Sequence, residues 1–158
     1  MRPKLRDPVD QDKLSQLLPL TNVVFQLHES GREYVEELKH ISQLLGRIVS
    51  QIDVLGAFGS TDADGFARRL AIGWHTVPMD LSEPELLELF DAVCEVRGNQ
   101  ELLEYWVRCL ALNTGDDRVS DLIFWPEQYF GAGYDGRERS PAEMLEIVLR
   151  KRRTEGSQ

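Results

Sequence analysis

No apolar run in this chain approaches the roughly 20 residues needed to cross a bilayer, and Met1-Arg2-Pro3-Lys4 leads into no apolar signal segment. The cytoplasm is therefore the expected location, with no membrane partner. Cysteine is scarce: Cys94 and Cys109 fall within helical patterns and lack CxxC spacing. That favours two small buried thiols over a disulfide or a metal site. Strand signals are missing as well. Val and Ile rarely alternate at period two, and no Asn-Gly or Asp-Gly joins two strand-like runs. His28, His40 and His75 share no metal-ligand spacing and adjoin no candidate nucleophile. Gly56-x-x-Gly59-Ser60 lacks the lysine and the preceding strand of a phosphate loop, and reads as one helix stopping and another starting. No catalytic, cofactor-binding or metal-binding residue emerges, and the chain reads as a non-enzyme.

What the sequence does hold is a soluble, helix-rich balance: 158 residues, 42% hydrophobic and 28% charged. That length allows one compact domain or two small ones. The charge is lopsided. Residues 1–78 carry a net −1, and residues 79–158 a net −8, of the total −9. Such an acidic surface repels nucleic acid and attracts basic proteins.

Apolar residues recur at spacings of three and four, which predicts an all-α fold. A first helix over about 11–28 contains Pro19, which should interrupt or bend it. Tyr34, Leu38, Ile41, Leu45, Ile48, Ile52 and Leu55 form a heptad-like seam over 34–55, ended by Gly56-Ala57-Phe58-Gly59. The seam serves either a hairpin with the first helix, through Leu14, Leu17, Val24 and Phe25, or a homodimer. A third helix should open at Ser60-Thr61-x-x-Asp64 and carry Phe66, Leu70 and Trp74. His75-Thr76-Val77-Pro78 is the natural boundary, giving an N-terminal helical region at 1–78 and a second domain at 79–158.

Beyond it, Ser82 with Glu85 forms a capping box for a helix over about 82–97. A helix over about 100–114 follows, stopped by Gly115. The last runs from Ser140-Pro141 to about Arg152, acidic at its start and basic at its end, as the helix dipole favours. Between them stands Asp121-Leu122-Ile123-Phe124-Trp125-Pro126. Pro126 lacks a backbone donor and biases Trp125 away from helix, so only a very short helical turn fits before it. Neighbouring helix positions point about 100° apart, so Phe124 and Trp125 cannot both enter one core stripe. At least one ring should face solvent or a partner. The other can close a small helical core.

The stretch Ser120-Asp121-Leu122-Ile123-Phe124-Trp125-Pro126, followed by Ser140-Pro141-Ala142-Glu143, resembles the nuclease-colicin and pyocin immunity proteins. Asp80 to Leu89 is similar to that family's first helix, and Glu101 to Asn113 to its second; the resemblance spans residues 79–152. It implies a four-helix domain with a very short third helix that binds a toxin's nuclease domain. The third helix would supply the shared anchor, Asp121, Phe124, Trp125 and Pro126. Second-helix positions Leu103, Glu104, Val107 and Ala111 would supply selectivity. The implied partner is a basic protein, a cognate nuclease toxin domain. Two features depart from the family. Arg108, Ala111 and Leu112 stand where acidic residues are usual, and the loop from Glu127 to Arg139 is longer, with glycines that suggest a mobile or partner-shaped segment. A helical interaction or assembly protein reusing this fold, dimeric through the 34–55 seam, is the other reading.

Overall fold

The structure is a computed structural model and describes residues 1–156. It is all-α, with no strand among the described residues. The chain forms two compact units, one of Val9–Gly73 and one of Met1–Pro8 together with the residues from Trp74 onward. The first eight residues thus pack with the C-terminal half of the sequence.

In the second of these units, α1 (Pro3–Arg6) is a single turn with Leu5 buried. The helices α6 (Glu83–Cys94), α7 (Gln100–Thr114), α8 (Val119–Phe124), α9 (Pro126–Phe130) and α10 (Pro141–Gly156) make up the rest. Ser82 and Glu85 close the capping box of α6, and Ser140 and Glu143 exchange the same pair of bonds at α10. Asn99 caps α7, and Gly115 ends it at φ 74°, a left-handed conformation that costs glycine little. Leu86, Leu89, Phe90, Val93, Tyr105, Leu110, Val119, Leu122 and Val148 are buried in its core.

The N-terminal segment is fastened to this core by polar contacts. The Trp106 indole donates to the Leu5 carbonyl at 2.8 Å, and Lys4 donates to the Thr76 carbonyl at 2.6 Å. Arg2 bonds both Glu85 and Asp80. Buried Asn113 donates to the Pro78 carbonyl at 2.8 Å and accepts from the Leu81 amide at 3.3 Å, holding the lead-in to α6 against α7.

The Val9–Gly73 unit holds α2 (Gln11–Glu29), α3 (Val35–Leu45), α4 (Gln51–Phe58) and α5 (Ala63–Ala71). Asp10 caps α2 by accepting from the Lys13 amide. Pro19 sits on the exposed side and does not end the helix. The two ends of the unit are tied by an antiparallel bridge between Val9 and Ile72 and by the Asp10 amide on the Ala71 carbonyl at 2.9 Å. Leu17 and Val24 are buried, with Leu14 and Phe25 packed beside them. Their main partners are α5 and α3.

The seam over 34–55 is not one helix. It breaks at Gly46, which takes φ 70° and ψ 20° as the C-cap of α3. A new helix starts at Ser50, whose capping box with Asp53 satisfies the fresh N-terminus. Tyr34 and Ile41 are buried, whereas Ile48, Ile52 and Leu55 are exposed at 87%, 78% and 53%. A helix stop plus a new cap outweighs continued periodicity, so the seam is two helices and not one continuous heptad run, with α3 packed against α2. The start of α5 also differs: Asp62, not Ser60 or Thr61, is its cap, accepting from the Gly65 amide at 2.7 Å. A Cβ at Gly65 would run into the Thr61 hydroxyl. Trp74 lies past the end of α5.

Candidate interaction surface on the short eighth helix

The turn before Pro126 forms as its chemistry dictates. α8 ends at Phe124, and Trp125 leaves the helix at φ −138° and ψ 60°. Pro126 then occupies the first position of α9, where its missing donor would have been unpaired anyway. Trp125 serves both helices: its amide donates to the Asp121 carbonyl at 2.7 Å, and its carbonyl accepts from the Gln128 amide at 2.9 Å. This tight reversal turns both rings outward. Phe124 is 48% exposed and Trp125 56%, while Val119 and Leu122 on the same helix are buried. Neither ring is a core plug.

Asp121 is half-buried beside them and pairs with Arg118 at 3.4 Å. Leu103, Glu104, Val107 and Ala111 lie within about 100° of arc on the neighbouring helix α7, each half-buried. Arg108 and Leu112 are exposed on the same helix, and Arg108 donates to the Trp74 carbonyl at 2.7 Å. Packing of α7 against α8 therefore puts the two predicted groups on adjacent helices.

A family comparison bears directly on this arrangement: residues 79–154 match the family described as colicin immunity protein / pyocin immunity protein. That match covers 76 of the 158 residues, the C-terminal half of the chain. No curated protein and no solved structure matches the chain. Within the matched region, the segment over 127–139, read from sequence as mobile or partner-shaped, is partly helical. Pro126–Phe130 is helical and Gly131–Gly133 is a 3₁₀ turn. Phe130 and Tyr134 stack at 5.9 Å, and the Arg139 guanidinium lies 4.2 Å from the Phe130 centroid. Arg118 donates to the Gln128 carbonyl at 2.6 Å and covers the Tyr129 ring. The Tyr129 hydroxyl donates to buried Asp116 at 2.7 Å, and Lys151 reaches the same carboxylate at 3.5 Å.

These supports escaped the sequence reading. The i,i+3 spacing of Arg118 and Asp121 and the i,i+4 spacing of Phe130 and Tyr134 were the available signals. Cysteine placement also needs correction: Cys109 is buried, but Cys94 is exposed at the end of α6. Burial pushes the Cys109 thiol up to about 11, and desolvation with Asp91 and Glu95 nearby also raises Cys94.

Beside Phe124 and Pro126 opens a groove of about 880 Å³, lined also by Val93, Met144, Tyr134 and Arg137. Among the described residues no group of acidic, histidine and cysteine side chains could hold a metal, and no helix is long and apolar enough to cross a membrane.

Proposed function

We propose that this protein is a cytoplasmic, non-catalytic immunity protein that binds and neutralises a bacteriocin-type nuclease toxin. The observation that carries the reading is the outward pair Phe124 and Trp125, on a short helix braced by Asp121 and Pro126 within the region that matches the immunity family. Half-exposed aromatics on a rigid, well-supported turn suit the buried centre of a protein interface, where such rings contribute most of the affinity. The net −8 over residues 79–158 favours a basic partner and disfavours nucleic acid. Leu103, Glu104, Val107 and Ala111 on α7 supply selectivity among partners. The exposed Arg108 and Leu112 make that face less acidic, which suits a partner with fewer cations opposite α7.

The test is complex formation with any nuclease toxin domain encoded beside this gene, followed by association kinetics across a salt series. The absence of such a neighbour contradicts the reading. The on-rate is expected to fall steeply with salt while the off-rate changes little. No complex, or an on-rate indifferent to salt, contradicts the reading.

A second reading is favoured by the exposed Ile48, Ile52 and Leu55: a helical assembly protein that reuses the immunity fold and self-associates through this face. Sedimentation over a concentration series separates the two. A dimer abolished by Ile52→Lys, with no toxin complex, selects assembly.

A further inference from the structure

Resting on the immunity reading above, we propose that the groove between the end of α6, α8 and the start of α10 receives an apolar side chain, flanked by a Lys or Arg, from the same nuclease that covers Phe124 and Trp125. The groove and the aromatic anchor are continuous, because Phe124 and Pro126 line both. Its floor is apolar: Val93, Leu122 and Met144 are buried to 0%, 1% and 7% exposure. It is an open groove of about 880 Å³.

One wall is Val96, 63% exposed on the groove. Its left-handed φ of 53° belongs to the end of α6, where the Arg97 amide donates to the Ala92 carbonyl at 3.0 Å and the Val96 amide to the Val93 carbonyl at 3.1 Å. Another wall is the segment after α9, through Tyr134, Gly136 and Arg137. It is pre-ordered by the Phe130–Tyr134 stack and by Arg139, so a partner need not order it on binding.

Charge at the rim selects the flanking cation. Arg137 is held by Glu143 at 2.8 Å and Arg139 by Asp135 at 3.2 Å. Both positive groups are therefore neutralised within the domain. Glu138 lines the rim and makes no ion pair among the described residues. A Lys or Arg beside the inserted side chain meets that carboxylate.

Cys94 lines the groove and is exposed, whereas Cys109 is buried and serves as an internal control. The experiment measures alkylation of Cys94 by a maleimide at mildly alkaline pH, in the free protein and in its complex with the neighbouring nuclease domain. Occupancy of the groove should slow Cys94 alkylation tenfold or more. A complex in which Cys94 reacts at the free rate overturns the groove proposal and leaves the anchor intact, whereas failure to form any complex overturns both. As a second readout, Cys94→Trp, which fills the groove from its exposed rim, should weaken binding tenfold or more with an unchanged Tm. Unchanged affinity overturns the proposal, and if that variant does not fold, the alkylation result on the natural protein decides alone.

Discussion

Arg2 grips Glu85 with two guanidinium nitrogens, at 2.5 and 2.9 Å, across 83 positions of sequence. The same carboxylate accepts from the Ser82 amide at 3.1 Å as half of the α6 capping box. One side chain therefore both starts α6 and holds the N-terminal segment on it. Arg2 first, and then the Ser82 bonds, hold the Glu85 carboxyl down at about 2, against an ordinary 4.5. A carboxylate depressed on folding stabilises the folded state fully above its unfolded value and loses that contribution as pH falls through its folded value. Stability of the natural protein should thus drop in acid between about pH 4.5 and pH 2. Glu85→Gln should flatten that part of the profile in denaturant titrations. An identical acid slope in the variant would mean that Glu85 is not the linked group.

Leu5 is buried to 1% exposure, and its carbonyl accepts from Trp106. Leu5→Ala should cost about 2–5 kcal/mol, the range for a buried leucine that leaves a cavity. Chemical unfolding measures it. A loss below about 0.5 kcal/mol, the level of an exposed substitution, would show that α1 is not part of the core.

The Tyr105 hydroxyl is buried, and the Cys109 thiol beside it is only a weak hydrogen-bond partner. A buried hydroxyl that gains so little in return for its desolvation makes Tyr105→Phe neutral, or stabilising by about 1 kcal/mol. Thermal unfolding reads this directly. A clear loss would reveal a stronger partner for that hydroxyl in solution.

Helix starts and stops were readable where one residue type settles them. Ser82 with Glu85, Ser140 with Glu143, Gly115 and Pro126 each mark an end that the structure keeps. The outward bearing of one of Phe124 and Trp125 was readable too, because two adjacent helix positions cannot share one buried stripe; that both rings face outward was not. The break at Gly46 was hidden because the apolar spacing of three and four runs on through it. Only the left-handed Gly46 and the Ser50–Asp53 box reveal two helices. The docking of Met1–Pro8 depends on pairs such as Arg2–Glu85 and Trp106–Leu5, which are far apart in sequence and leave no local pattern. The order of the segment after Pro126 was hidden likewise. Its glycines suggested looseness, but the stack of Phe130, Tyr134 and Arg139 holds it.

That break has a measurable consequence. Ile41 is buried and Ile52 is 78% exposed, though both belong to the same apparent seam. Ile41→Ala should cost about 2–5 kcal/mol, and Ile52→Lys should change stability by no more than about 0.5 kcal/mol. Equal losses at the two positions would restore a continuous buried helix.

The most direct test of the central claim is protection of living cells. Cells expressing the natural chain or the Phe124→Ala/Trp125→Ala double variant are challenged with a nuclease toxin encoded beside this gene, if the genome carries one. Both rings are half-exposed, so the double variant should keep its Tm within a few degrees. Each lost ring should cost about 2 kcal/mol or more of binding. The account predicts survival with the natural chain and killing with a folded double variant. Equal protection by both would contradict the aromatic anchor, and killing in both would contradict immunity itself.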